Sequence, residues 1–183
     1  MNKIIYSLFI VCIVLGCSKQ HVVENTMVDT ATTLPGNELS DSIDYETDGW
    51  LQRDSLLVKW YKHLIDVTND TNLNFSSEKK HELNKFVAGQ MDTIERLTFK
   101  ESYILIYRTR DKNILLSSDI QNSEISLSKR IKVGISRDEL LKELNAQSNR
   151  DTLTVTDFEG NTNVTLILKN NLLTHIIYAG YID

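Results

Sequence analysis

The sequence predicts an α+β domain, with N-terminal helices packed on an antiparallel β-sheet and ending in a helix followed by a three-stranded meander. Three observations lead there. Apolar residues recur at helical spacing over residues 50–67; short β-branched and aromatic runs separated by turn residues begin at Thr93; and a capping-box helix start at Ser136 precedes three more such runs.

Ahead of this domain the chain reads as an address. Lys3 is followed by an apolar run over residues 4–15 and then Gly16 and Cys17, the charge, length and small-residue pattern of a secretory signal. At about 1.5 Å per residue the run extends roughly 18 Å, short of the ~30 Å hydrocarbon core of a bilayer. It is therefore expected to be a signal peptide, residues 1–16, and not a spanning helix. Cys12 would leave with it, so Cys17 would be the single thiol of the mature chain. That excludes an intramolecular disulfide and a cysteine zinc site.

Residues 17–49 are expected to form an acidic flexible tether. Glu24, Asp29, Glu38, Asp41, Asp44, Glu46 and Asp48 face only Lys19, apolar residues are isolated, and Pro35 is the only proline of the chain. Such a composition cannot bury enough apolar surface to offset its ordering entropy. The net charge of −5 resides wholly in residues 1–49, and the domain over residues 50–183 balances. Its short basic clusters, Arg108 to Lys112 and Lys129 to Lys132, lack the concentrated positive charge of a nucleic-acid surface. No nucleic-acid partner is expected.

Within the domain, Leu56, Leu57, Trp60, Tyr61, Leu64 and Val67 place one apolar stripe on a helix, with Asp48 as its expected cap. Residues 67–76 read as a loop. A second helix is expected over residues 76–88, with Ser76 or Ser77 capping it, Gly89 past its end, and a thin apolar side of Leu83, Phe86 and Val87. Strands are expected over 93–99, 103–109, 114–120 and 124–128. At residues 131–144 the signals converge: Ser136 and Glu139 have capping-box spacing, Ile135 and Leu140 that of a hydrophobic staple, and Leu140, Leu141 and Leu144 form the buried stripe. Strands over 153–158, 164–168 and 172–178 should follow, the last two joined by Asn170-Asn171, residues suited to positive φ.

Two resemblances follow from these motifs. Val14-Leu15-Gly16-Cys17 resembles the lipobox of bacterial lipoproteins, which implies diacylation of the Cys17 thiol, cleavage before it and acylation of the new amino terminus. Val133-Gly134-Ile135-Ser136, Glu139-Leu140, the short helix and the meander make residues 131–180 resemble the BamE/SmpA-type envelope module and the β-lactamase-inhibitor-protein-like domains. The lipobox before an acidic tether is also similar to small lipoproteins of Bacteroidota. Together they imply a lipid-anchored protein of the cell membrane or outer membrane carrying a non-enzymatic binding module.

No catalytic, cofactor-binding or metal-binding residue is expected from the sequence. Gly-x-Ser-x-Gly, phosphate-loop and His-Glu-x-x-His patterns do not occur. His63, His81 and His175 lack close ligand spacing; His81-Glu82 reads as a solvated helix face, Asp138-Glu139 as capping, and Asp157 with Glu159 as hairpin acids short of a calcium loop. Cys17 is thus the one site residue assigned, as the lipidation site. The expected function is that of a protein-binding or scaffold lipoprotein with an envelope protein partner; an inhibitor or immunity protein and an envelope enzyme stand as the alternatives. A sheet face lined by Tyr103, Tyr107 and Tyr178 is the feature that would discriminate.

Overall fold

The computed structural model describes residues 46–47, 49–84 and 86–181. In chain order the elements are β1 (Glu46–Thr47), β2 (Trp50–Gln52), α1 (Asp54–Val67), β3 (Ser76–Leu83), β4 (Met91–Phe99), β5 (Ser102–Arg108), β6 (Asn113–Ile120), α2 (Arg137–Leu144), β7 (Thr152–Thr156), β8 (Asn163–Lys169) and β9 (Leu172–Ala179). The strands make a single sheet ordered β1-β2-β7-β8-β9-β6-β5-β4-β3. Cys17 and the signal and tether boundaries proposed before residue 46 lie outside the described residues.

The expected fold class is corrected by this architecture. One helix, not several, precedes the main strands, the sheet dominates the chain, and it is mixed, because β2 runs parallel to β7. Residues 50–52, expected to begin the first helix, form β2 and leave Trp50 55 % exposed; the helix starts at Asp54 after Arg53, which makes no side-chain cap. Residues 76–83, expected as a helix, form the edge strand β3, paired in continuous antiparallel register from Ser76 opposite Thr98 to Leu83 opposite Met91.

The reason is energetic. Glu78, Lys79, Lys80 and Glu82 favour helix locally, but a short helix needs a packed apolar face, which this segment lacks. Pairing with β4 satisfies its backbone along one side while the charges stay in water, where they also guard the edge against pairing with another chain. Residues 124–128 likewise form no strand; one bridge, Ser126 to Lys132, ties them down while Ile125 and Leu127 are buried.

Two helix-then-meander halves compose the sheet. The first is α1 followed by β3 to β6, the second α2 followed by β7 to β9, and their last strands β6 and β9 pair antiparallel. Leu57, Trp60 and Leu64 from α1 and Leu140 and Leu144 from α2 join the same buried cluster, which places both helices on one face. A row across that face is buried from strand to strand: Leu97, Ile104, Ser118, Tyr178, Val164, Val155 and Leu51 occupy consecutive partner positions. Alternation along each strand turns the next row to the opposite face.

The capping box expected at the start of α2 is present. Ser136 Oγ accepts from the Glu139 N–H at 3.3 Å while Glu139 accepts from the Ser136 N–H at 3.1 Å. Asn145 closes the helix in the left-handed region, and Asn170 and Asn171, at φ 52° and 61°, make the tight turn between β8 and β9. No helix among the described residues is long and apolar enough to cross a membrane.

Candidate functional site

The face opposite the helices carries the first candidate surface. Thr98, Tyr103, Asp119, Ile177, Thr165, Thr154 and Trp50 follow one another in register across seven strands, one position from the buried row. Tyr103 and its neighbours Ile94, Leu105, Tyr107 and Ile177 are partly exposed. Arg96 lies over the Tyr103 ring at 3.8 Å, a cation–π contact across the face. Tyr178 does not join them. It lies on the core face, 3 % exposed, with its ring 6.3 Å from that of Tyr61 on α1, and burial pushes its phenol up to about 12.

At one end of this face, hydrogen bonds knit the β3–β4 hairpin. Asp92, 1 % exposed, accepts from Gln90 Nε2 at 2.8 Å, from Tyr107 Oη and from Asn84 Nδ2. These donors hold its carboxyl below the usual aspartate range, and the same contact raises the Tyr107 phenol. Asn84 then turns its Oδ1 to the N–H groups of Phe86 and Val87, both at 2.7 Å.

On the helix side of the same hairpin, Glu95 accepts from Ser77 Oγ at 2.6 Å and from Arg108 Nε, with Lys79 Nζ at 3.4 Å. Burial alone would raise this carboxyl. The Ser77 and Arg108 hydrogen bonds, with the Arg108 and Lys79 charges, hold it below the usual range instead. Both acids therefore serve as ionised structural acceptors.

The hairpin end is also where cavities and exposed apolar residues gather. A cleft of about 400 Å³ on the helix-free side is lined by Leu83, Phe86, Ile94, Tyr107, Lys112 and Ile114, among others. A second, of about 600 Å³, opens between the start of α1 and the ends of β6 and β9, beside Val58, Tyr61, Lys112 and Tyr181. Leu83, Phe86, Val87 and Met91, at the hairpin tip, are between 50 and 82 % exposed. Three of these four, Leu83, Phe86 and Val87, are expected from the sequence on the thin apolar side of a helix. The available signal was Asn84 and Gly89 bracketing an apolar tip between two runs of strand length.

His63, His81 and His175 stay apart. His63 sits on α1 with its Nε2 3.5 Å from Ser126 Oγ; His81 lies on the edge strand with Nδ1 3.0 Å from Thr93 Oγ1; His175 lies on β9 beside Thr174. Glu82, adjacent to His81 on a strand rather than the expected helix, turns to the other face and pairs with Lys80. Asp157 accepts from the N–H groups of Asn161 and Thr162, and Glu159 from the Asn161 side chain, so both shape the β7–β8 loop. Among the described residues, no three His, Cys, Asp or Glu side chains cluster as a metal ion requires.

Comparison of the chain with protein-family models, with curated proteins and with solved structures yields no match.

Proposed function

We propose that the chain is a lipid-anchored cell-envelope protein, acylated at Cys17, whose folded part is a non-catalytic protein-binding or scaffold module. The single observation that carries the binding part is the helix-free face. There Tyr103, Leu105, Tyr107 and Ile177 stay partly exposed in register while the next row is sealed under both helices. Aromatic and aliphatic side chains held by a sheet lose little freedom when a partner covers them, which favours such a surface for recognition. The lipobox-like Val14-Leu15-Gly16-Cys17 and the acidic segment behind it support the anchor. Two acyl chains attach far more stably than one.

Two measurements test the two parts. Radiolabelled palmitate should enter the wild-type chain and not Cys17→Ser; label in the variant refutes the assignment. From detergent-solubilised envelopes, the wild-type chain should recover a defined protein that Leu105→Lys with Ile177→Lys does not. Equal recovery by wild type and variant refutes the role of this face.

A further inference from the structure

We infer that the β3–β4 hairpin tip is a bilayer-docking wedge, with Phe86 and Val87 entering the apolar edge of the lipid surface to which the chain is tethered. The inference rests on the envelope reading above for its proximity to a membrane, and on the tip's own geometry for the docking.

The first observation is where apolarity begins. β3 runs Ser-Ser-Glu-Lys-Lys-His-Glu and is exposed on both faces for nearly its whole length, then changes character at Leu83. Leu83, Phe86, Val87 and Met91 are 70, 82, 50 and 55 % exposed. Along the edge strand the exposed side chains thus change from polar to apolar at Leu83. A planar water–hydrocarbon boundary has that geometry, whereas a protein partner on the edge strand would call for apolar positions along it.

The second observation is how the tip's backbone is satisfied. Entry into a low-dielectric layer is costly for any N–H without a partner. Asn84 Oδ1 takes the N–H groups of Phe86 and Val87, the Gln90 N–H bonds to the Val87 carbonyl, and the Asn84 N–H bonds to that of Gln90. Asp92 anchors both Asn84 and Gln90 from behind. The N–H groups of Asn84, Phe86, Val87 and Gln90 are thus all paired within the hairpin.

The third is that the same end of the sheet bears a second apolar point. Phe158, 79 % exposed, caps the β7–β8 loop, five strand spacings away, or ~24 Å. Between the two lies the β5–β6 turn, where Arg110 and Lys112 flank Asp111 and leave a net positive charge that lipid phosphates would meet. Toward the opposite end lie Leu172, beside the β8–β9 turn, and Trp50, which opens β2, among the exposed large apolar side chains of the described residues. Both apolar points and the net positive turn thus lie at one end of the sheet, with Asp157 and Glu159 bordering the second point, Phe158.

The test uses the full chain, purified with its anchor and reconstituted into vesicles of phosphatidylethanolamine and phosphatidylglycerol, with and without bromine on the acyl chains. Phe86→Trp should lose emission by about twofold in the brominated vesicles, as a wedge at the acyl boundary must. Leu172→Trp, at the opposite end, should lose none beyond the background of Trp50 and Trp60. Val87→Asp combined with Phe86→Trp should abolish the loss, while unchanged emission of buried Trp60 shows the fold intact. Unquenched Phe86→Trp in vesicle-bound protein overturns the inference, as does quenching that survives Val87→Asp. A blue shift of Phe86→Trp that grows with protein concentration, without lipid quenching, overturns it in favour of a second copy of the chain. Palmitate incorporation at Cys17 is read separately, so a failed anchor and a failed wedge are distinguishable.

Discussion

Tyr107 on β5 donates its phenolic proton to Asp92 on β4, and through Asp92 the sheet holds the hairpin tip. The carboxylate is 1 % exposed and is shared by Gln90, Tyr107 and Asn84. Its pKa lies below the ordinary 3.8, so its contribution to stability is present above that value and is lost as pH falls through the lower, folded value. Amide exchange, corrected for its intrinsic pH dependence, should therefore show protection at Phe86 and Val87 constant from neutral pH to about 4 and falling below it. Asp92→Asn should lower that protection at neutral pH and remove the acid step. An acid step that persists in the variant would assign the effect to another group.

Tyr178 gives a prediction of opposite sign. Burial lifts its phenol from 10 to about 12, so the folded state holds that proton more tightly than the unfolded chain. The contribution is fully present below pH 10 and disappears as pH rises toward 12. Tyr178→Phe should flatten the fall in denaturant midpoint over that interval; Tyr103→Phe, on the other face, should leave it unchanged.

Gly180 passes where no side chain fits. A Cβ there would meet Tyr178 Oη at 2.8 Å and the Leu115 carbonyl at 2.9 Å, one of them rigid backbone. Gly180→Ala should cost about 1–3 kcal/mol by overpacking, read as a lower urea midpoint at unchanged slope.

The α2 entry should respond to a single hydroxyl. Ser136 accepts from the Glu139 N–H and completes the reciprocal box, so Ser136→Ala should cost about 1 kcal/mol, while Ser136→Asp should recover most of it. A neutral Ser136→Ala would mean that the bridge from Ser136 to Leu172 alone fixes the helix start.

What could be seen in the sequence follows the range of the interactions. The box at Ser136, the Asn170-Asn171 turn and the alternation of Val164, Leu166 and Leu168 are set by residues within one turn or strand of each other, and all take their expected form. β2 was unreadable because its three residues gain their conformation from Thr154, Val155 and Thr156, some hundred positions later. β3 was misread because its charged residues favour helix alone and strand only beside β4. That error also concealed the hairpin tip. Of the three tyrosines singled out, Tyr103 and Tyr107 reach the helix-free face and Tyr178 does not. The difference is register: Tyr178 pairs with Ser118 in the buried row.

Photo-cross-linking in intact cells tests the binding role of the helix-free face most directly. A photoreactive residue at Leu105 should join the anchored chain to one defined envelope protein, and the same residue at Glu143 on α2 should not; Cys17→Ser should weaken the Leu105 product. No product from Leu105, or the same products from Leu105 and Glu143, would contradict the account.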